Sequence, residues 1–398
     1  MKSSSNIDIN KKIVNNNDNN YINNDDINKN NVNKINNIKN NIKDINVKDI
    51  NSKDIKNSEF DISSYDYLLP QKLIATDHIL PRDHSRLLYY DSQKKEKQDL
   101  IFKDIVDFFS KGDILVLNNT KVKKTFLKCK KKTGSVGSLS LLEKISEKKY
   151  KIALHQRNPK VGTILIFENK QKAVITKANL LDFEIEFEKD PNELIEKYAT
   201  YTLPSYIKSE NTNKELYQTI YSDSKKENSI AAPTAGLHFT EELFNKLKEK
   251  GVEILFVSLN VGLGTFASIK VKDIREHNMH SEEIEITKEV ADKINNRKGK
   301  LFLVGTTSLR TMESFTDKNG IVNYGKKSTN IFIYPGYKFN LKFNGIITNF
   351  HLPKSTLIML VSTLVGKNEI LNLYKYAIGK KYRFYSLGDA MFLNNLDL

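Results

Sequence analysis

The sequence predicts a mixed α/β protein with a small inserted all-β unit and a long polar extension in front. Three observations carry that reading. Short apolar runs such as Ile254–Leu259 and Lys300–Val304 end in glycine-bearing turns and alternate with helix-like segments, the pattern of an α/β sheet whose ligands bind at strand ends. Between Gly134 and about Thr202 the pattern changes to short alternating runs at Ser138–Leu142, Tyr150–Leu154, Ile164–Phe167, Ala173–Thr176 and Phe183–Phe187, which reads as a compact β unit. Residues 1–58 hold 20 Asn, 11 Ile, 10 Lys and 7 Asp, with Ile at no sustained period, so no face can be buried and disorder is expected. The expected division is a disordered extension over 1–58, a main α/β domain over 59–127 and 203–398, and an inserted β domain over 128–202.

The chain has 398 residues and a formal charge of +15. The first 58 residues carry ten Lys against seven Asp, so most of the surplus positive charge belongs to the folded part. Nucleic acid is the first partner that such a balance suggests, with a generic basic protein as the alternative. Cys129 is the single cysteine, which excludes an intrachain disulfide and a cysteine zinc cluster. The longest apolar run, Thr356–Val365, is too short to span a bilayer. There is no apolar leader and no Arg before Arg82, so a soluble cytoplasmic protein without a membrane partner is expected.

In chain order, Tyr65 to Pro70 leads to Leu73-Ile74-Ala75, and Arg82 to Tyr90 is a polar cluster that enters a strand. Arg82 and Arg86, four apart, could grip a phosphate or carboxylate, or form surface ion pairs. Phe102–Phe109 reads as a helix and Ile114–Leu117 as a buried strand. Lys121, Lys123, Lys124, Lys128 and Lys130 interleave with Val122, Phe126, Leu127 and Cys129, a basic strand suited to phosphates or simply a solvated edge.

The chain is organised around Ala231-Ala232-Pro233-Thr234-Ala235-Gly236-Leu237-His238-Phe239-Thr240. Small residues and one imidazole precede a helix over Glu241–Lys250, with Thr240 as N-cap and Leu243, Phe244 and Leu247 at helical spacing. Such a loop suits a small polar or anionic ligand, or else a tight turn with a packed His. Glycine turns at Asn260 to Phe266 and Gly305 to Arg310 follow predicted strands, and neither fits a dinucleotide fingerprint. His277, His280 and Glu282, with His351, admit a metal reading, an acid–base reading or a structural network. Thr348 to Thr356 again places a His before an apolar helix, and Tyr382 to Met391 mixes aromatics with Arg383 and Asp389.

The blocks Ala231–Thr240, Val261–Phe266, His277–Glu282, Val304–Arg310, Phe332–Phe339, Thr348–Thr356 and Tyr382–Met391 resemble the signature blocks of the S-adenosylmethionine:tRNA ribosyltransferase-isomerase family of queuosine biosynthesis. Upstream blocks Tyr67–Ile74, Arg82–Leu88 and Leu115–Val122 fit in the same order, so the likeness covers about residues 60–393.

The resemblance implies transfer and isomerisation of the ribosyl moiety of S-adenosylmethionine onto 7-aminomethyl-7-deazaguanine at the tRNA wobble position. Epoxyqueuosine-tRNA forms, and adenine and methionine leave. It implies no metal and no cofactor beyond that co-substrate, a mixed α/β main domain with a barrel-like insert, and a monomer with tRNA as partner. Acid–base roles fall to His238, His280, Glu282, His351 and Asp389. Substrate contacts fall to Arg82, Arg86, Thr234, Gly236, Gly262, Gly264, Thr265, Thr306, Thr307, Arg310, Asn349 and Arg383. tRNA phosphates fall to Lys121, Lys123, Lys124, Lys128 and Lys130. The chain departs from the family pattern at Asn260, Asn119 and Ser209. Those changes keep open a second reading, an RNA-binding homologue with lost or altered catalysis. A metal-dependent hydrolase is a third.

Overall fold

The computed structural model describes residues 59–398 apart from 156–158, 180–181, 205, 208–213 and 263–268. The expected extension over 1–58, Ser209, Gly264 and Thr265 therefore lie outside the described residues. Seventeen strands follow in chain order: β1 (Arg86–Asp91), β2 (Glu96–Ile101), β3 (Ile114–Asn118), β4 (Lys121–Val122), β5 (Phe126–Lys131), β6 (Val136–Lys144), β7 (Lys149–Leu154), β8 (Ile164–Ile166), β9 (Lys172–Asn179), β10 (Asp182–Phe187), β11 (Glu227–Ser229), β12 (Glu253–Leu259), β13 (Glu282–Ile286), β14 (Leu301–Val304), β15 (Gly325–Thr329), β16 (Gly345–Asn349) and β17 (Ala390–Asn394). The described α-helices are α1 (Asn192–Tyr198), α2 (Glu241–Glu249), α3 (Lys288–Asn295), α4 (Gly305–Phe315), α5 (Thr356–Val365) and α6 (Lys367–Gly379).

Nine strands form one twisted mixed sheet in the order β15-β13-β12-β3-β14-β16-β17-β1-β2. Its centre, β12-β3-β14-β16, is parallel, whereas β17 runs antiparallel to β16. Side chains alternate across a strand, and that period divides the core in two. Leu88, Val116, Val257, Leu303, Ile346 and Met391 point to one face, where α3, α4, α5 and α6 cover them. Leu87, Leu115, Phe302, Ile347 and Phe392 point to the other, against α2 and the 3-10 helix Phe102–Phe108. Parallel strands buried on both faces read as continuous apolar runs, which is why Ile114–Leu117 and Leu301–Val304 are legible in the sequence.

The expected helix after Thr240 is α2, and the Thr240 hydroxyl accepts the Leu243 amide at 3.2 Å. The expected helix over Phe102–Phe109 is a 3-10 helix over Phe102–Phe108. It is only about two turns long, and Phe102, Ile105 and Phe109 pack under the sheet.

Strand β4 pairs with β11 in a two-stranded sheet, and the six remaining strands form a closed antiparallel barrel in the order β10-β7-β6-β5-β8-β9. Closure leaves no unpaired edge. Leu127, Cys129, Leu139, Ile152, Leu165 and Ile185 fill its interior. The Cys129 thiol is pushed up to about 11 by burial, so it stays an unreactive thiol. The chain leaves the main sheet at β5 and returns after α1, where Thr125 and Thr202 hydroxyls meet at 2.8 Å.

Candidate active site

Parallel strands present their carboxyl ends on one side, and the chain must turn there before each helix. The turns after β12, β14 and β16 converge with the loop that precedes α2. Together they wall a cavity of about 270 Å³, close to the lower end of the roughly 300–1,000 Å³ usual for small-molecule sites. Thr234, Gly305, Thr306, Thr307, Thr348, Asn349, His351 and Ser355 supply much of its wall, with Tyr206, Tyr385 and Ser386 on the side of the turn before β17. Besides Gly305, two non-glycine residues of the wall hold left-handed backbone angles: Tyr385 at φ 72 and Lys354 at φ 54. Bulky residues adopt that region at a cost, and here both do so on the cavity wall.

His351 faces this cavity and is deeply buried. Its Nε2 meets the Thr348 hydroxyl at 3.1 Å and its Nδ1 meets the Tyr374 hydroxyl at 3.2 Å. The same Tyr374 hydroxyl accepts the His351 amide at 2.9 Å, and Tyr67 donates to the His351 carbonyl. Burial lowers the His351 imidazole to about 3, so it is neutral at ordinary pH. Burial likewise pushes the hydroxyls of Tyr67 and Tyr374 upward, and both stay protonated.

His238 lies behind the wall. Its ring stacks on Phe102, with centroids 4.8 Å apart. Nδ1 lies 2.7 Å from the Ser85 hydroxyl and Nε2 lies 3.2 Å from the Asn349 amide nitrogen. Ser85 donates to the Arg82 carbonyl and Asn349 Oδ1 accepts from Thr234. This network assigns the neutral ring a proton on Nδ1 and a bare, accepting Nε2. Burial first, then the nearby Arg383, His78 and Arg82, lower it to about 3. His238 therefore reaches the cavity through Asn349 rather than directly.

Other expected site residues are placed elsewhere. Glu282 and Arg310 form a buried ion pair, and Arg310 also donates to the Ile331 carbonyl. His280 is exposed on the segment before β13. Asp389 accepts the backbone amides of Arg383 at 2.8 Å and Arg86 at 3.1 Å, so it ties β1 to the turn before β17. Burial raises its carboxyl against those amides, which lower it. Arg82 spends its guanidinium on the carbonyls of Leu216 and Gln218, and Arg86 lies 3.7 Å above the Tyr382 ring with a bond to the Lys380 carbonyl. Arg383 donates to the carbonyls of Asp77 and Leu387. Gly236 answers a packing need: a Cβ there would sit 1.8 Å from the Tyr221 hydroxyl. Gly262 directly follows the cavity residue Val261. Lys121 pairs with Glu227 at 2.7 Å, Lys123 donates to the Leu142 carbonyl, and Lys124 lies 3.4 Å from Glu215. Lys128 and Lys130 are exposed on the outer face of β5.

The departures Asn119 and Asn260 do not line the cavity. Asn119 accepts from Ser258 at 2.8 Å, while Asn260 accepts from Thr120 at 3.0 Å and donates to Glu283 at 3.1 Å. Sequence reading missed Tyr206, Tyr374, Tyr385, Ser386 and Ser85, along with the buried Glu313, which accepts Tyr337 and the amides of Asn340 and Leu341. The Tyr-Ser-Leu-Gly run at 385–388 was visible, but its left-handed turn was not. Among the described residues no group of three or more His, Cys, Asp or Glu could hold a metal ion, and no helix is long and apolar enough to cross a membrane.

Fold and cavity together define a mixed α/β protein with a cavity at the carboxyl ends of its parallel strands. Its sequence matches the family described as queuosine biosynthesis protein over residues 62–393. The chain belongs to that family. It is also similar to a solved S-adenosylmethionine tRNA ribosyltransferase from Thermotoga maritima, at 30% identity over 83% of this chain and 100% of that one, with a TM-score of 0.47.

Proposed function

We propose that this protein transfers and isomerises the ribosyl moiety of S-adenosylmethionine onto 7-aminomethyl-7-deazaguanine at the tRNA wobble position, releasing adenine and methionine. Membership of the queuosine biosynthesis family supports the reaction class. The observation that carries the reading is the cavity in which Thr234, Thr306, Thr307, Asn349 and His351 converge from three separate parts of the chain.

The chemistry asks for few charged groups. A sulfonium acidifies the adjacent ribose carbon, and the departing adenine needs a proton. His351 is the histidine on the cavity wall, and a neutral imidazole can accept a proton at one ring nitrogen and give one from the other. Thr348 and Tyr374 hold both nitrogens in place. His238 acts as a positioning residue: it receives the Asn349 N–H, which turns Asn349 Oδ1 toward Thr234. Arg310 and Glu282 neutralise each other and brace α4 against β13. The exposed Lys128 and Lys130 are suited to tRNA phosphates.

The test is direct. The protein is incubated with S-adenosylmethionine and tRNA bearing the deazaguanine precursor, and the tRNA digest is read by mass spectrometry. Epoxyqueuosine and free adenine in equal amounts are expected. Tight tRNA binding with no product would favour the non-catalytic RNA-binding reading. That alternative draws on Asn119 and Asn260, which hold a hydrogen-bond network outside the cavity.

A further inference from the structure

His351 sits between two hydroxyls, and the hydrogen bonds around it decide which ring nitrogen carries its proton. Tyr374, on α6, is wholly buried. Its ring meets Tyr67, Phe350 and Phe384 edge-on, with centroids 5.2, 5.4 and 5.9 Å apart, which holds the hydroxyl in place. That oxygen already accepts the His351 amide at 2.9 Å. Its own proton needs an acceptor, because a buried donor left unpaired is costly. Among the described residues the single acceptor in reach is His351 Nδ1, at 3.2 Å. Nδ1 is therefore bare, and the neutral ring carries its proton on Nε2. The Thr348 hydroxyl, 3.1 Å away, accepts that proton's hydrogen bond. Thr348 lines the cavity, and its oxygen has no other partner among the described residues, so its own hydrogen is left for a ligand. His238 shows the opposite arrangement, with its proton on Nδ1 and a bare Nε2.

We infer that Tyr374 is a positioning residue that fixes the tautomer of His351, so that His351, through Thr348, offers the departing adenine a hydrogen-bond donor and is not the base that takes the ribose-carbon proton; the inference rests on the function proposed above. A donor and a base serve different steps of that reaction. When the carbon–nitrogen bond to adenine breaks, its electron pair goes to the adenine nitrogen, and a donor aimed there stabilises the charge. The proton beside the sulfonium needs a bare acceptor, which Nε2 does not offer. Full transfer along the chain would draw the Nε2 proton onto Thr348 and the Tyr374 proton onto Nδ1, and would leave a phenolate. Burial pushes the Tyr374 hydroxyl upward, against that outcome. The role is donation, and the proton that adenine carries away comes from water.

The experiment is proton–nitrogen correlation spectroscopy of the full chain made with isotope-labelled histidine, which separates protonated from bare ring nitrogens. The chain has seven His, and the signals missing from His351→Asn and from His238→Gln identify the two rings. A protonated Nε2 is expected for His351 and a protonated Nδ1 for His238. Tyr374→Phe should move the His351 proton toward Nδ1 and lower kcat roughly 10-fold, with KM for S-adenosylmethionine unchanged. Thr348→Val should lower kcat roughly 10²- to 10³-fold, the worth of one preorganised donor. An S-adenosylmethionine analogue carrying a more acidic purine, which leaves more readily, should recover most of that loss. Thermal melting confirms that both variants fold. A wild-type His351 protonated on Nδ1 overturns the inference, as does an unchanged tautomer in Tyr374→Phe. An equal Thr348→Val loss with both purines would assign the donor to another step and also overturn it. The spectra need no turnover, so the two readings fail separately. Epoxyqueuosine made by a chain whose His351 is protonated on Nδ1 refutes only this inference; a chain that makes no epoxyqueuosine refutes the proposed function.

Discussion

His238 and His351 are alike in most respects. Each follows a block of small or hydroxylated residues, each is buried, and each is lowered to about 3. They differ in what their rings meet. His351 stands on the cavity wall between a threonine and a tyrosine. His238 stands one layer back, locked by Ser85 and Asn349 and roofed by Phe102. Equal burial therefore does not mean equal role. Under the proposed function, the place of each ring, on the cavity wall or one layer behind it, makes His351 the reacting group and His238 the positioning one.

The largest test of that contrast is His351→Ala. Turnover is expected to fall roughly 10²- to 10⁴-fold, the usual worth of a positioned acid–base group, with S-adenosylmethionine affinity within a few-fold of wild type by titration. If His238→Ala loses as much while His351→Ala stays active, the assignment of the two roles is reversed.

Next in size is Glu282→Ala, which leaves Arg310 buried and unpaired. It should cost about 3–5 kcal/mol of stability in urea unfolding, whereas a substitution of both partners by apolar residues should recover much of it. A stable single variant with abolished chemistry would instead make Glu282 a member of the reacting set.

His238→Ala should lower kcat by roughly 10-fold through misplaced Asn349, about the worth of one or two buried hydrogen bonds. His238→Gln, which can still accept from Asn349, should restore part of it. No difference between Ala and Gln in steady-state kinetics would remove the positioning role.

The pH response treats both histidines together. Each has a folded-state value below its unfolded value of about 6.5, so the unfolded chain binds more protons at acid pH. Stability is complete above about pH 6.5 and is lost as pH falls toward 3, on the order of 1 kcal/mol per pH unit for each histidine. His78, lowered to about 4 by burial, Arg82 and Arg383, adds to the same trend. Melting temperatures from pH 7 to pH 5 should fall, and the fall should shrink in His351→Asn. The smallest effect is on the barrel: Lys128→Ser with Lys130→Ser should reduce the salt dependence of tRNA binding by just under one unit of slope per residue.

Much of this was legible in the chain. Apolar runs over Ile114–Leu117 and Leu301–Val304 became central strands because both faces of the sheet are covered. The alternating runs from Ser138 to Phe187 became barrel strands because one face meets a closed interior. Thr234, Thr306, Thr307, Asn349 and His351 were readable as turn residues at strand ends. Glu282 was read as an acid–base group and Arg310 as a substrate contact, because spacing along the chain does not say that β13 and α4 present them to each other. The turn that brings two backbone amides onto the Asp389 carboxylate was not legible either. The tyrosines at 67, 206, 374 and 385 carried no local pattern; only tertiary packing gives them their places.

Tyr65 is wholly buried, Asp66 pairs with Lys354, and Tyr67 donates to the His351 carbonyl. That short arm is a strut of the cavity wall. Protease cleavage or a fusion junction upstream of Glu59 should spare the cavity, while a cut between Tyr65 and Leu68 should loosen the loop that carries His351.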